Sequence, residues 1–83
     1  MKESDIIDIL MNYNSGGNYF VLYKIIVNNS GKDNWCNLSQ QEIANMMKKS
    51  RRFVNDGLKV LNELGLVNPL YKKIYVIKRI DNE

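Results

Sequence analysis

Eighty-three residues, 45% of them apolar and 25% charged, make one small soluble domain, residues 1–83, and are too few for two. A single cysteine and no histidine exclude an internal disulfide and a Cys/His zinc cluster, and they remove the commonest general base. A chain this short buries only ~60–65% of its unfolded surface, so a second copy is the expected source of further burial. The net charge is +3, from 12 Lys and Arg against nine Asp and Glu. Residues 1–37 hold three Lys against four acids, whereas residues 38–83 hold nine Lys and Arg against five acids. The basic excess therefore belongs to the second half. Glu3, Asp5 and Asp8 give the start the wrong charge for an export signal. The most apolar run, 19–27, falls far short of the ~20 residues that cross a bilayer. The expectation is a cytoplasmic protein without a membrane partner. Twelve Asn and nine Ile are the composition that AT-rich coding tends to produce.

In chain order, Ile6, Ile9, Leu10 and Tyr13 recur at i, i+3, i+4 and i+7 and predict a first helix over 4–14, capped by Ser4. Its expected role is packing or dimerisation. Residues 18–29 are apolar on nearly every side and are too long for an ordinary strand, so a buried central helix is expected. Trp35, Cys36 and Asn37 suit a brief strand, with Trp35 as a packing aromatic. Cys36 has no basic neighbour to activate its thiol. Ser39-Gln40-Gln41-Glu42 is a capping box opening a helix over 39–49. Ser50 then caps a longer helix over 50–65, with Val54, Leu58, Leu61 and Gly65 on one face and Gly65 placed to end it. Gly57 inside that helix costs about 1 kcal/mol relative to Ala. Strands are expected near 66–70 and 74–80, forming a hairpin over 66–80 whose tip is Tyr71-Lys72-Lys73. Residues 81–83 read as a frayed tail.

Two helices with almost no connection between them, followed by a hairpin, form the winged helix-turn-helix order. The expected fold class is mainly α with a small β-hairpin. A helix can read a major groove only if another element holds it there. The stripe Val54, Leu58, Leu61 would fix the second helix from behind and free its first turn. That turn carries Ser50, Arg51, Arg52 and Asn55. Arg suits the O6/N7 edge of guanine and Asn suits adenine. Lys59 further along, and Lys48 and Lys49 in the turn, are placed for phosphates, together with Ser39 and Gln40 at the start of the preceding helix. The hairpin offers Tyr71, Lys72 and Lys73 at its tip, with Tyr75, Lys78 and Arg79 on the following strand. Two readings of it stand: a basic wing that tracks phosphates or enters a minor groove, and an exposed hairpin whose lysines protect an edge strand.

Residues 37–67 (NLSQQEIANMMKKSRRFVNDGLKVLNELGLV) resemble the winged helix-turn-helix domains of bacterial regulators of the cyclic-AMP-receptor type. They match the pattern (S/T)-x-x-E-(I/L)-A, then S-R-x-x-V, then L-x-x-L-x-x-x-G-(L/I)-(I/V). A similar likeness, to winged helices of phage and plasmid replication proteins, extends upstream to Leu22. The resemblance implies that the residues after the cap serine, here Arg51, Arg52, Asn55 and Asp56, read bases. Three positions depart from it. Lys48-Lys49 stands where a glycine turn is common, so a regular or altered turn is expected. Asp56 stands where an Arg is common. Phe53 replaces a small polar phosphate contact, and it has three open environments: thymine methyls, another protomer, or the wing.

The leading functional expectation is a sequence-specific double-stranded DNA-binding protein, homodimeric and not an enzyme, without cofactor or metal. It would serve as an accessory factor marking a plasmid or phage origin, with a larger DNA-processing enzyme as partner. The competing expectations are a small transcriptional regulator and a winged helix that binds protein instead of DNA, the latter argued from Asp56 and an exposed Phe53.

Overall fold

The computed structural model describes residues 2–12, 16–70 and 73–79. The elements are α1 (Glu3–Leu10), α2 (Gly16–Asn28), β1 (Trp35–Cys36), α3 (Gln40–Met47), α4 (Arg51–Glu63), β2 (Val67–Leu70) and β3 (Lys73–Val76).

Helix α1 starts and stops earlier than its apolar stripe predicts. Lys2, not Ser4, precedes it, and the Lys2 carbonyl takes the N–H groups of Asp5 and Ile6 at 3.1 and 3.3 Å. Ser4 therefore lies inside the first turn, and no side chain caps this end. The helix ends at Leu10, and the predicted stripe residue Tyr13 lies outside the described residues. Ile6 and Leu10 are fully buried where α1 packs on α2, while Ile9 is half-buried.

Helix α2 is the central helix expected from its length, beginning at Gly16 rather than residue 18. Leu22, Tyr23, Ile26 and Val27 form its buried side, while Val21 and Asn28 face solvent. Two polar side chains satisfy carbonyls of its last turn: Asn29 Nδ2 donates to the Ile25 carbonyl at 2.8 Å and Ser30 Oγ to the Ile26 carbonyl at 2.6 Å.

The sheet has three strands, not the two of a simple hairpin. All pairings are antiparallel, in the order β1-β3-β2. Val67, Asn68, Pro69 and Leu70 pair with Val76, Tyr75, Ile74 and Lys73, while Trp35 and Cys36 pair with Tyr75 and Ile74. Alternation puts Ile74, Val76, Val67 and Cys36 on the buried face. Strand β3 ends at Val76, not residue 80, because the next N–H groups leave the ladder: those of Ile77 and Lys78 both go to the Leu66 carbonyl at 2.9 and 3.1 Å.

Helices α3 and α4 are joined by Lys48, Lys49 and Ser50 alone. The capping box forms in full: Ser39 Oγ accepts from the Glu42 N–H and the Glu42 carboxylate accepts from the Ser39 N–H, both at 3.1 Å. Ser50 Oγ caps α4 by accepting from the Phe53 N–H at 3.0 Å. Both helices end in the same hydrogen-bond pattern. At the end of α4 the Leu66 N–H reaches the Leu61 carbonyl and the Gly65 N–H the Asn62 carbonyl, both at 2.9 Å, with Gly65 left-handed at φ 74°. At the end of α3 the Lys49 N–H reaches Ala44 at 3.0 Å and the Lys48 N–H reaches Asn45 at 3.3 Å. There Lys48 takes the left-handed place, at φ 56° and ψ 41°. The two lysines do not impose a regular turn, as their side chains lead one to expect; Lys48 adopts the glycine conformation at a steric cost of about 1 kcal/mol.

The core lies where α2 and α4 meet the buried sheet face, with α1 packed on α2, and it contains Ile6, Leu22, Ile26, Val54, Leu58, Leu61, Leu66 and Ile74. Among the described residues the architecture is four helices with a three-stranded antiparallel sheet.

Candidate nucleic-acid interface

Helix α4 has two faces set by one spacing. Val54, Gly57, Leu58 and Leu61, at i, i+3, i+4 and i+7, are buried against α2 and β2. Arg52, Asn55, Asp56 and Lys59 repeat that spacing two residues earlier and are all exposed, with Arg51 beside Asn55 one turn away. Arg51, Arg52 and Lys59 have no side-chain hydrogen bond or ion pair among the described residues, so their donors are available to an outside acceptor. Asp56 lies in the middle of this stripe, one turn from Arg52 and from Lys59, and lowers the local positive potential.

Lys48 and Lys49 extend the basic surface past the start of α4, and both are exposed. Ser50 is also exposed, but its oxygen already serves the Phe53 N–H. Ser39 is committed in the same way within the capping box, and Gln40 is half-buried at the first position of α3. Ser39 and Gln40 thus contribute less open polar surface than the lysines and arginines.

On the hairpin, Lys73 opens β3 and is exposed. Tyr71 and Lys72 lie outside the described residues. Tyr75 lies on β3, the strand after the tip, as expected. It is half-buried mid-sheet and meets Trp35 edge-on, with ring centroids 5.0 Å apart. Arg79, expected on the second strand of the hairpin, lies beyond the end of β3 and is turned inward. Its Nη1 donates to the Gly31 carbonyl and to Asn34 Oδ1, both at 3.0 Å, and so ties the segment after β3 to the loop before β1. Asn34 itself is left-handed at φ 68°, which orients its side chain and carbonyl for this junction.

Phe53 has an intramolecular neighbour that is not among the three environments open to it in the sequence. Its ring packs on Tyr19 of α2, with centroids 5.6 Å apart and planes at 42°. Lys49 Nζ lies 5.4 Å from the centre of the Phe53 ring. Gly57 makes room for this contact: a β-carbon there would fall 2.5 Å from a Leu22 methyl and 3.1 Å from two Tyr19 ring atoms. These residues were not legible as a group, because Tyr19 and Phe53 are far apart in sequence. A glycine on the buried stripe of an otherwise regular helix was the available signal.

Away from α4, a groove of about 390 Å³ runs beside β1, lined by Asp33, Trp35, Glu42 and Lys73 among others. Its carboxylates have local duties: Asp33 Oδ1 accepts from the Trp35 N–H at 3.1 Å, and Glu42 completes the capping box. Cys36 is buried at its edge. Desolvation, and to a smaller extent Glu42, push its thiol above the ordinary range, which keeps it protonated and poorly nucleophilic. Among the described residues no three His, Cys, Asp or Glu side chains are grouped to hold a metal, and no helix is long and apolar enough to cross a membrane.

Comparison with protein-family models, with curated proteins and with solved structures returns no match.

Proposed function

We propose that this chain is a winged helix-turn-helix domain that binds double-stranded DNA, with α4 in the major groove and the β2–β3 hairpin as the wing. The observation that carries the reading is the outward stripe of α4. Arg51, Arg52, Asn55 and Lys59 project from a helix whose other side is locked into the core, and the three cations among them have no partner among the described residues. A surface of this kind presents unconsumed donors from a firmly held helix, which suits reading base edges. Lys48, Lys49 and Lys73 add cations at the flanks, where the two backbones of a groove would run. The binding is sequence-specific in this reading, and marking a plasmid or phage origin and controlling a promoter both begin with it. The protein-interaction alternative loses its argument from Phe53, which is half-buried on Tyr19.

The reading includes a homodimer. Fewer apolar residues are left for a second copy than the sequence suggests, since Ile6, Leu10, Leu22, Tyr23 and Ile26 are absorbed by the chain's own core. What supports a second copy is the strip on α1 formed by Ile7 and Met11, one turn apart and 38% and 67% exposed.

Fluorescence anisotropy with a labelled duplex tests the reading. With Lys48, Lys49, Lys59 and Lys73 on phosphates, log K should fall with log salt at a slope of about −3 to −4. No binding of duplex at 50 mM salt, or binding insensitive to salt, would refute it.

A further inference from the structure

We propose that Phe53 is a positioning residue that holds Lys49 in place as a phosphate ligand at the entrance to α4. This rests on the DNA-binding reading above. The four residues form a chain of contacts that starts in the core. Gly57 admits the Tyr19 ring, the Tyr19 ring supports the Phe53 ring, and the Phe53 ring carries the ammonium of Lys49. Lys49 belongs to the three-residue connection, and its backbone N–H is bonded to Ala44, so its main chain is fixed as well.

The chemistry of the support matters. A carboxylate partner would neutralise the lysine and would have to be displaced when DNA arrived. An aromatic ring within about 6 Å attracts the cation, leaves its charge intact, and leaves its N–H donors for another acceptor. Lys49 is thus pre-ordered without being consumed. Lys48, its neighbour, is also exposed but has no ring beneath it among the described residues. The entropy of immobilising a long side chain on binding is the cost that such ordering removes, and it corresponds to roughly 2- to 10-fold in affinity.

The test is a double-mutant cycle on duplex binding, measured by anisotropy at fixed salt, together with the proton spectrum of the free protein. Phe53→Leu retains an apolar side chain and removes the ring. It should weaken binding roughly 2- to 10-fold when Lys49 is present and have no further effect in Lys49→Ala. Phe53→Trp should bind within about twofold of the wild type, because it keeps a π-face under the ammonium. In the free wild-type protein the Lys49 ε-methylene protons should be shifted upfield by the ring, a signature that needs no variant to fold. Equal losses from Phe53→Leu with and without Lys49, no loss at all, or unshifted Lys49 protons would overturn the proposal. If the wild type fails to bind duplex, the DNA-binding reading falls with it. If the wild type binds and the cycle shows no coupling, only the role of Phe53 falls.

Discussion

Gly57→Ala should destabilise this protein, although alanine is the better helix former. Replacing a helix-interior glycine by alanine ordinarily gains about 1 kcal/mol. Here the new β-carbon would lie 2.5 Å from Leu22 Cδ2 and 3.1 Å from Tyr19 Cδ1 and Cε1. Carbon atoms rest at ~3.5–4.0 Å, so the leucine methyl must retreat by about 1 Å. Leu22 is fully buried, so its methyl can retreat only by displacing core neighbours. Overpacking of this kind costs about 1–3 kcal/mol, which leaves a net loss of up to ~2 kcal/mol after the gain in propensity. For a domain of this size a loss of 1 kcal/mol lowers Tm by about 4–8 °C. Urea unfolding of four proteins, wild type, Gly57→Ala, Leu22→Ala and the double variant, isolates the cause. Leu22→Ala alone should cost about 2–5 kcal/mol. Adding Gly57→Ala to it should be neutral or stabilising, because the obstructing methyl is gone. A Gly57→Ala protein that is more stable than the wild type would refute the close approach of α2 and α4 and the support it gives the outward face of α4.

Three further outcomes follow from named contacts. Lys48→Gly should raise stability by up to about 1 kcal/mol in the same unfolding assay, since glycine takes φ 56° without the clash of a β-carbon. Arg51→Ala and Arg52→Ala should each cost about 1–3 kcal/mol on a specific duplex and relax one base position, measured by competition with single-base variants of the site. Tyr23 is buried and its hydroxyl donates to the Lys78 carbonyl, and desolvation raises its pKa to about 12. Because the folded value is the higher one, this contribution is fully present below pH ~10, the unfolded value, and is lost as pH rises through 12. Tyr23→Phe should cost about 0.5–1.5 kcal/mol at neutral pH and lose stability less steeply than the wild type between pH 10 and 12.

The local signals in the sequence and the long-range contacts differ in how far they could be read. Ser39-x-x-Glu42, Ser50 and Gly65 are cues that act within five residues, and all three appear at the helix ends as hydrogen bonds or a left-handed residue. The buried stripe of α4 was legible for the same reason, since Val54, Leu58 and Leu61 repeat within one helix. The brief strand at Trp35–Cys36 was legible as an element, but its place in the sheet was not, because its pairing with β3 spans some 40 residues of chain. Arg79 looked like a surface cation because nothing near it in sequence pairs with it, yet it bonds Gly31 and Asn34 across the fold. Lys48 illustrates a different limit. Side-chain sterics argue against a left-handed lysine, but the paired carbonyls of Ala44 and Asn45 hold the backbone there. Of the candidate interface, Arg51, Arg52, Asn55 and Lys59 were readable from periodicity, whereas the support beneath Lys49 depends on a contact between α2 and α4.

Selection of bound duplexes from a random pool tests the central claim most directly. A short enriched motif is expected, lost at one position in Arg51→Ala or Arg52→Ala and, for a homodimer, repeated about one helical turn away. A pool that stays random after repeated rounds, or that the protein does not retain, would contradict it.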